Sequence, residues 1–306
     1  MLTAVLGLTG ALIFGSADFL GGLAAKRMSS LLVTAVAAAS GLVALLLALP
    51  FVVGVWSPSA VLWGGLSGVS GAIAISLLYA CLAIGPMSIL SPLTAVVSAV
   101  VPMTVGLAGG DRLAPIGYWA LGLALVAVLL VGFVPERGAV RPSLLGVLMA
   151  LGSGTMIGAF MVMIDLTPAD SGLVPLVMNR AVNAAIMFSV VGLLALVALR
   201  RRRSLVTTAP MTGSFRPVTD AAPQPRSTLT IGLRLAVACG VIDVVANVLL
   251  LLGMRAGDLS VMSVLTAMYP AGTILLAAVV LRERIAPVQW LGLALALGAA
   301  GMLALA

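Results

Sequence analysis

The chain has 306 residues, of which 62% are hydrophobic and only 8% are charged, with a formal net charge of +7. Soluble domains carry about 25% charged residues and about half apolar ones, so this composition excludes an ordinary soluble protein and indicates an integral membrane protein. The chain contains no histidine, which excludes histidine metal sites, histidine proton relays and Ser-His catalysis. We expect no cofactor, no metal ion and no nucleic-acid partner.

Ten apolar runs follow one another along the chain, each long enough to cross about 30 Å of hydrocarbon. A span in lipid must satisfy its own backbone hydrogen bonds, which favours helices, and the alternating pattern of a membrane β-barrel is absent. The sequence therefore predicts an all-α integral membrane protein with ten transmembrane helices. The predicted spans, numbered one to ten, cover residues 3–25, 31–53, 60–83, 87–108, 114–134, 143–164, 172–199, 229–253, 258–281 and 287–305.

Basic residues outside the spans are divided unequally between the two sides of the predicted bundle. Twelve lie in connections on one side, and only Arg112 and Arg255 lie on the other. Because basic loops tend to stay in the cytoplasm, we expect a multi-pass protein of the bacterial inner membrane with both termini outside. The basic, Pro- and Ser-rich connection at about 200–228 is predicted to be a disordered loop, either a topology anchor or a regulatory site.

The sequence contains an internal repeat. A shift of 172 residues aligns 85–115 with 257–287, with ten of the 31 positions identical. A second match sets LGLTGALIFG at 6–15 against LGVLMALGSG at 145–154. Repeats of this kind indicate a duplicated architecture.

The duplication predicts two five-helix repeats, residues 1–136 and 143–306. Because five is odd, the second repeat crosses the membrane in the opposite direction, so the repeats are inverted. Inverted repeats are typical of secondary transporters, whose substrate site lies near the membrane midplane between the halves.

The two aligned copies end in related turns, GGDRLAP at 109–115 and LRERIAP at 281–287. Arg112 and Arg284 occupy equivalent positions in these turns. Pro287 suits the first position of the last helix, and Glu283 can pair with the neighbouring arginines or favour the helix start. The turn is therefore interpreted as a structural marker of the repeat.

Two acidic residues lie within predicted spans, where an ionisable group is costly and tends to face a cavity or a partner. Asp18 in span one shares a helical face with Gly7, Ala11 and Gly22. It is either a protonatable or substrate-binding carboxylate, or a helix-end residue that is paired with Lys26 or solvated at the interface. Asp243 in span eight has Asn247 one turn later. It is either a functional acid or a buried carboxylate satisfied by Asn or Arg.

Span seven carries the polar cluster Asn179, Arg180 and Asn183. A buried arginine needs a carboxylate, and Asp18 or Asp243 could serve. The alternative is that Arg180 binds the carboxylate of a substrate. All six of these polar residues are candidates for the substrate or coupling-ion site.

Spans four and nine carry matched hydroxyl groups. They either line a transport pathway or make hydrogen bonds between tightly packed helices, and prolines in the same spans can bend them. The two tyrosines either flank a cavity or anchor helices at an interface. The cysteines, Cys81 and Cys239, are interpreted as packing residues. The candidate pathway residues are Tyr79, Ser91, Thr94, Ser98, Ser263, Thr266 and Tyr269.

The segment AMYPAGTILLAAVVLRERIAPVQWLGLALALGAAGML resembles the signature of the drug/metabolite transporter superfamily, in its ten-helix EamA branch. Pro270 and Glu283 stand at the spacing of that signature, IFGSADF resembles its first-helix motif, and Arg180 matches an arginine often seen in its seventh helix. In the first copy Ser98 occupies the proline position and Asp111 replaces the glutamate. The resemblance implies an exporter of amino acids, related metabolites or drugs.

These features favour a secondary transporter that moves a small molecule across the lipid bilayer by alternating access, with protons as a candidate coupling ion. An intramembrane aspartyl protease, or another membrane enzyme or scaffold using Asp18 and Asp243, is the alternative. LAGGD departs from the Gly-x-Gly-Asp motif of such proteases because Ala108 stands at the first glycine. We therefore expect a protein that is not an enzyme.

Overall fold

The computed structural model describes residues 2–84, 87–132, 143–207, 226–282 and 286–305. Within these ranges the chain forms α-helices and two short 3-10 helices, and no strand. The α-helices are α1 (Leu2–Ala25), α2 (Ser30–Ala48), α3 (Pro58–Ile84), α4 (Met87–Gly109), α5 (Pro115–Gly132), α6 (Leu144–Asp165), α7 (Val174–Thr207), α8 (Arg226–Ala256), α9 (Leu259–Thr266), α10 (Tyr269–Val280) and α11 (Pro287–Leu305).

The prediction of an all-α membrane protein is confirmed. Nine segments of the described chain are long and apolar enough to cross a membrane, counting α9 and α10 together as Leu259–Val280. The apolar stretch Pro287–Leu303 in α11 is slightly shorter and supplies the tenth span. Each predicted apolar run therefore corresponds to helical structure.

The ninth span is not the single helix that the continuous run 258–281 predicts. It is interrupted at Ala267 and Met268, between α9 and α10. Pro270 is the second residue of α10, where its missing N–H cannot bond to the Thr266 carbonyl and its ring would crowd that carbonyl. In contrast, α4 runs unbroken through Pro92 and Pro102.

The connection after span seven is shorter than predicted. Helix α7 continues through Arg200–Arg203 to Thr207, and α8 begins at Arg226. Residues 200–207 and 226–228 are therefore helical rather than part of a disordered loop, and the remaining residues of the predicted loop lie outside the described chain.

The turns that end the repeated segments share a backbone feature. Gly110 has φ 116° and Arg282 has φ 56°, and the shift of 172 residues aligns these two positions. A left-handed conformation costs a non-glycine residue roughly 1–2 kcal/mol, so Arg282 holds a geometry that glycine adopts freely in the other copy. Pro287 is the first residue of α11, as predicted, and Gln289 Oε1 accepts from Ala286 N at 3.0 Å.

The contacts between helices follow a two-fold pattern. Exchanging spans one to five with spans six to ten converts the α1–α8 contact into α6–α3, and α2–α8 into α7–α3. The contacts α2–α7, α4–α9 and α5–α11 map onto themselves. Small residues, including Ala120, Ala124 and Ala299, fill the core where α5 meets α11, and they allow close helix packing in lipid.

Because consecutive spans alternate in direction, the connections lie on two opposite faces of the bundle. We call face A the side with Leu2 and the connections at 49–57, 110–114, 166–173 and 257–258. Face B is the side with the connection at 26–29 and the basic end of α7.

Candidate functional site

An internal cavity is indicated by the surroundings of Asp18 on α1. Asp18 lies on the same side of the helix as Gly7 and Ala11, which are buried. Asp18 nevertheless has more than a third of its surface exposed. The exposed apolar residues Val5 and Leu12 lie on the opposite side of α1, where they face lipid. The open space beside Asp18 is therefore inside the bundle.

The neighbours of α1 differ along its interior face. An added Cβ at Gly7 would lie 2.8 Å from Leu265 Cβ of α9, so α9 covers the interior face of α1 near face A. One helical turn beyond Asp18, an added Cβ at Gly22 would meet no atom within 4 Å. The interior face of α1 is therefore covered near face A and has free space beside it on the side of Asp18 toward face B.

Helices α8 and α10 form the walls on either side of Asp18. An added Cβ at Gly21 would lie 3.3 Å from Cys239 Sγ of α8. Thr273 Oγ1 of α10 donates to the Gly15 carbonyl at 3.1 Å. The backbone carbonyl of Tyr269, the first residue of α10, also lies against Gly15. Asp18 makes no hydrogen bond or ion pair with any described residue.

Arg180 of α7 forms an ion pair with Asp243 of α8. The Arg180 side chain is 14% exposed and the Asp243 side chain is 24% exposed, so the pair is largely removed from solvent. Asn247 donates through Nδ2 to the Asp243 carbonyl at 2.8 Å and to Oδ2 at 3.2 Å. Of the two acids that the sequence offered as partners for Arg180, the structure selects Asp243.

The other two polar residues of the span-seven cluster face a different helix. Asn179 Nδ2 donates to Ser67 Oγ of α3 at 2.9 Å, and both residues are buried. Asn183 Nδ2 lies close to Gly71 of α3, and Asn183 Oδ1 has no hydrogen-bond partner in the described chain. The cluster therefore divides between the α7–α3 interface and the ion pair with α8.

Three of the predicted pathway hydroxyls are buried and bond to backbone carbonyls. Thr94 Oγ1 donates to Leu90 O at 3.0 Å and to Ala150 O of α6 at 3.3 Å. Ser98 Oγ donates to Ala95 O at 2.8 Å, and Ser263 Oγ donates to Ser260 O at 2.9 Å. Thr94 thus joins two helices, and a pathway role for these residues stays a prediction.

The remaining predicted residues are dispersed. Thr266 is the last residue of α9 and Tyr269 the first of α10, so they bracket the break, and both are partly exposed. Arg112 is exposed in the face A turn. The side chains of Tyr79 and Ser91, and the residues Glu283 and Arg284, lie outside the part of the chain that the structure describes.

A contact that the sequence did not predict joins the two repeats at face A. Asp111, in the turn after α4, accepts from the Ser260 N–H at the start of α9 at 3.0 Å. The side chain of Asp258, the N-cap residue of α9, makes no capping hydrogen bond to the helix. Burial, followed by the nearby Asp111 charge, raises the pKa of Asp258 above its ordinary value. Asp111 therefore caps a helix that is distant in sequence.

Two further contributors were missed. Arg255 donates to Ser171 Oγ at 2.9 Å, which ties α8 to the connection after α6 at face A. Cys239 packs against Gly21 of α1, a position that the sequence did not predict for it. Its position one turn before Asp243 on α8 is the signal that could have placed it near the acids.

An all-α bundle of apolar spans, with an ion pair and an unpaired acid on helices in its interior, is typical of polytopic membrane transporters. The sequence profile of the EamA-like transporter family matches residues 144–305. The chain belongs to this family, which lies within the drug/metabolite transporter superfamily, and it is a membrane transporter.

Other comparisons agree with the fold. A solved crystal structure, described only as that of a protein, superposes with a TM-score of 0.65 and 17% sequence identity. The match covers 99% of this chain and 98% of the other. At this identity the likeness shows the fold alone. No curated protein matches the chain.

Proposed function

We propose that the protein is a secondary transporter that exports small metabolites or drugs across the bacterial inner membrane by alternating access. The observation that carries this proposal is the free space beside Asp18 and Gly22, with α9 covering the same face of α1 near face A; we infer that this space is a cavity that opens toward face B. Alternating access requires a site reachable from one side at a time, and a broken helix beside that site is typical of such transporters.

The two-fold pattern of helix contacts supports inverted repeats at about 1–136 and 143–306 as the moving units. The contacts α4–α9 and α5–α11 map onto themselves under the exchange, so they lie where the two repeats meet. Rocking of one repeat against the other about these contacts would open face A and close face B. The Asp111–Ser260 contact, which joins the two repeats at face A, would then break.

Asp18 is the better candidate for proton coupling. A coupling acid must exchange its proton with water during the cycle, and Asp18 is exposed to the cavity without a partner in the described chain. Asp243 is engaged by Arg180 and Asn247, so it has a counter-charge where Asp18 has none among the described residues. The same pairing argues against an aspartyl protease, because such a protease needs two carboxylates that share a proton and Asp243 is paired with Arg180 instead of Asp18.

A flux assay in proteoliposomes tests this function. We expect the purified protein to exchange at least one member of a metabolite and drug panel across the membrane, with a rate that depends on the pH gradient. Asp18→Asn should abolish the pH dependence, whereas Asp170→Asn, which removes an exposed carboxylate on face A, should preserve it. An absence of flux across the whole panel would contradict transport, and an unchanged pH dependence in Asp18→Asn would contradict coupling.

A further inference from the structure

The charges of the internal cavity do not balance. An added Cβ at Gly21 of α1 would lie 3.3 Å from Cys239 Sγ, and Asp243 lies one turn after Cys239 on α8. The ion pair of Asp243 with Arg180 is therefore adjacent to the Asp18 region. Arg180 and Asp243 neutralise one another, and Asn247 adds a donor to the same carboxylate. Asp18 lies on the cavity face of α1 without a partner among the described residues. Among the residues that the structure describes, Asp18 is therefore the one carboxylate of this region that has no counter-charge.

An uncompensated carboxylate in a partly dehydrated cavity selects the charge of its ligand. The attraction between opposite charges a few ångströms apart is several times stronger near a protein interior than in water. A ligand with a single positive charge would neutralise Asp18. An ordinary amino acid also carries a carboxylate, and the arginine that could receive it is already occupied by Asp243.

We propose that the cavity binds organic monocations, meaning amines without a carboxylate, and that Asp18 is their counter-ion. Asp243 excludes zwitterions because its ion pair with Arg180 leaves no arginine to bind their carboxylate. This inference rests on the proposed transport function and narrows its substrate class.

The surroundings of Asp18 also favour a ligand whose uncharged part is apolar. Gly22 leaves open space one turn away, and Cys239 and Tyr269 lie nearby on α8 and α10.

Matched ligands test the charge selection directly. Binding to the purified protein in nanodiscs would be measured by calorimetry with 3-methylbutylamine, leucine and 4-methylpentanoate, which share one side chain and differ in charge. A second set built on a benzyl group covers a larger body. We expect the amine of at least one set to bind ten-fold or more tightly than its amino acid and its acid. Tighter binding of the amino acid or the acid would overturn the proposal.

Asp18 and Asp243 have different expected effects. Asp18→Asn should weaken amine binding by at least ten-fold, and the face A control Asp170→Asn should leave it unchanged. Asp243→Asn frees Arg180 beside an intact Asp18, so this variant should gain binding of the amino acid. The double variant Arg180→Gln/Asp243→Asn removes both charges of the pair and should keep the preference for the amine.

An unpaired arginine can destabilise Asp243→Asn, so its folding is checked by monodispersity and thermal midpoint. If that variant does not fold, Arg180→Gln replaces it. This change leaves a second unpaired carboxylate and should raise the affinity for 1,4-diaminobutane relative to 3-methylbutylamine. An unchanged ratio would overturn the role of the pair.

The outcome is separable from that of the flux assay. If the protein transports an uncharged or anionic compound while no amine binds, the monocation proposal is wrong and transport stands. If no compound moves and none binds, both proposals are wrong. If amines bind and move, with both activities lost in Asp18→Asn, both proposals are supported.

Discussion

At the scale of single residues, two glycines of α1 have opposite surroundings although they lie only two turns apart. An added Cβ at Gly15 would lie 2.6 Å from Thr273 N and 2.8 Å from Gly272 Cα, which are backbone atoms of α10 that no side-chain rotation can move. An added Cβ at Gly22 would meet nothing within 4 Å. Gly15 therefore sets how closely α1 approaches α10, while Gly22 borders open space.

We predict that Gly15→Ala destabilises the protein and that Gly22→Ala does not. Forcing an extra carbon into a tight contact costs roughly 1–3 kcal/mol, so Gly15→Ala should lower the thermal midpoint. Alanine is better than glycine in a helix by about 0.5–1 kcal/mol, so Gly22→Ala should leave the midpoint unchanged or raise it. Thermal unfolding of both variants in one detergent measures the difference, and equal midpoints would contradict the assigned packing.

The sequence identified most of the charged residues of the cavity but not their pairing. Asp18, Arg180 and Asp243 stand out because charges are rare in apolar spans. The sequence offered two acids, Asp18 and Asp243, as partners for Arg180. Which of them pairs with Arg180 depends on which helices are neighbours and how each helix is rotated about its axis. Asn179 shows the same limit, because its neighbour Ser67 on α3 is 112 positions away in sequence. Those relations arise from tertiary packing, which periodicity along one helix does not encode.

At the scale of elements, the start of α9 is stabilised by the other repeat. The first N–H groups of a helix lack partners within it, and an acidic side chain there also interacts favourably with the helix dipole. The Asp111 carboxylate accepts a hydrogen bond from the Ser260 N–H in the first turn of α9. The side chain of Asp258, the N-cap residue of α9, bonds to no N–H group of that turn. The cap therefore also connects the face A turn of the first repeat to the broken span of the second.

We predict that Asp111→Ala destabilises the protein more than Asp258→Asn. Loss of an N-cap interaction costs about 1 kcal/mol, which Asp111→Ala should show as a lower thermal midpoint. The raised pKa of Asp258 means that the folded state binds the carboxyl proton more tightly than the unfolded state does. The protein therefore loses stability as the pH rises from the ordinary pKa of an aspartate through the raised pKa of Asp258. Asp258→Asn should remove that loss. Thermal midpoints over a pH series measure both effects, and a larger loss in Asp258→Asn at neutral pH would contradict the assignment.

The break within span nine marks the limit of prediction at this scale. Pro270 indicated a bend, yet Pro92 and Pro102 lie inside the continuous helix α4. A membrane helix tolerates proline where neighbouring helices or side chains satisfy the freed carbonyl, so the outcome depends on surroundings. The number and type of the spans were predictable because apolar length reports directly on crossing a bilayer. The extension of α7 to Thr207 was not, because its final turns are basic rather than apolar.

At the scale of the whole molecule, the compartment toward which the cavity opens depends on how the protein is oriented in the membrane. Face B carries the exposed Lys26 and the arginines at the end of α7, and face A carries the exposed Arg112. Basic residues near span ends tend to remain in the cytoplasm. We therefore propose that face B is cytoplasmic, so that this conformation is open to the cytoplasm and both termini lie outside.

We predict that cysteine labelling distinguishes the two faces as this orientation requires. In a background with Cys81→Ala and Cys239→Ala, a membrane-impermeant maleimide should label Arg112→Cys in intact cells, and Lys26→Cys only after the membrane is permeabilised. Both positions are exposed at the ends of spans, so each reports on sidedness rather than on packing. The reverse pattern would place the basic face outside and the open cavity toward the exterior. That result would contradict the proposed orientation alone. The fold and the cavity charges would stand, because neither depends on which face meets the cytoplasm.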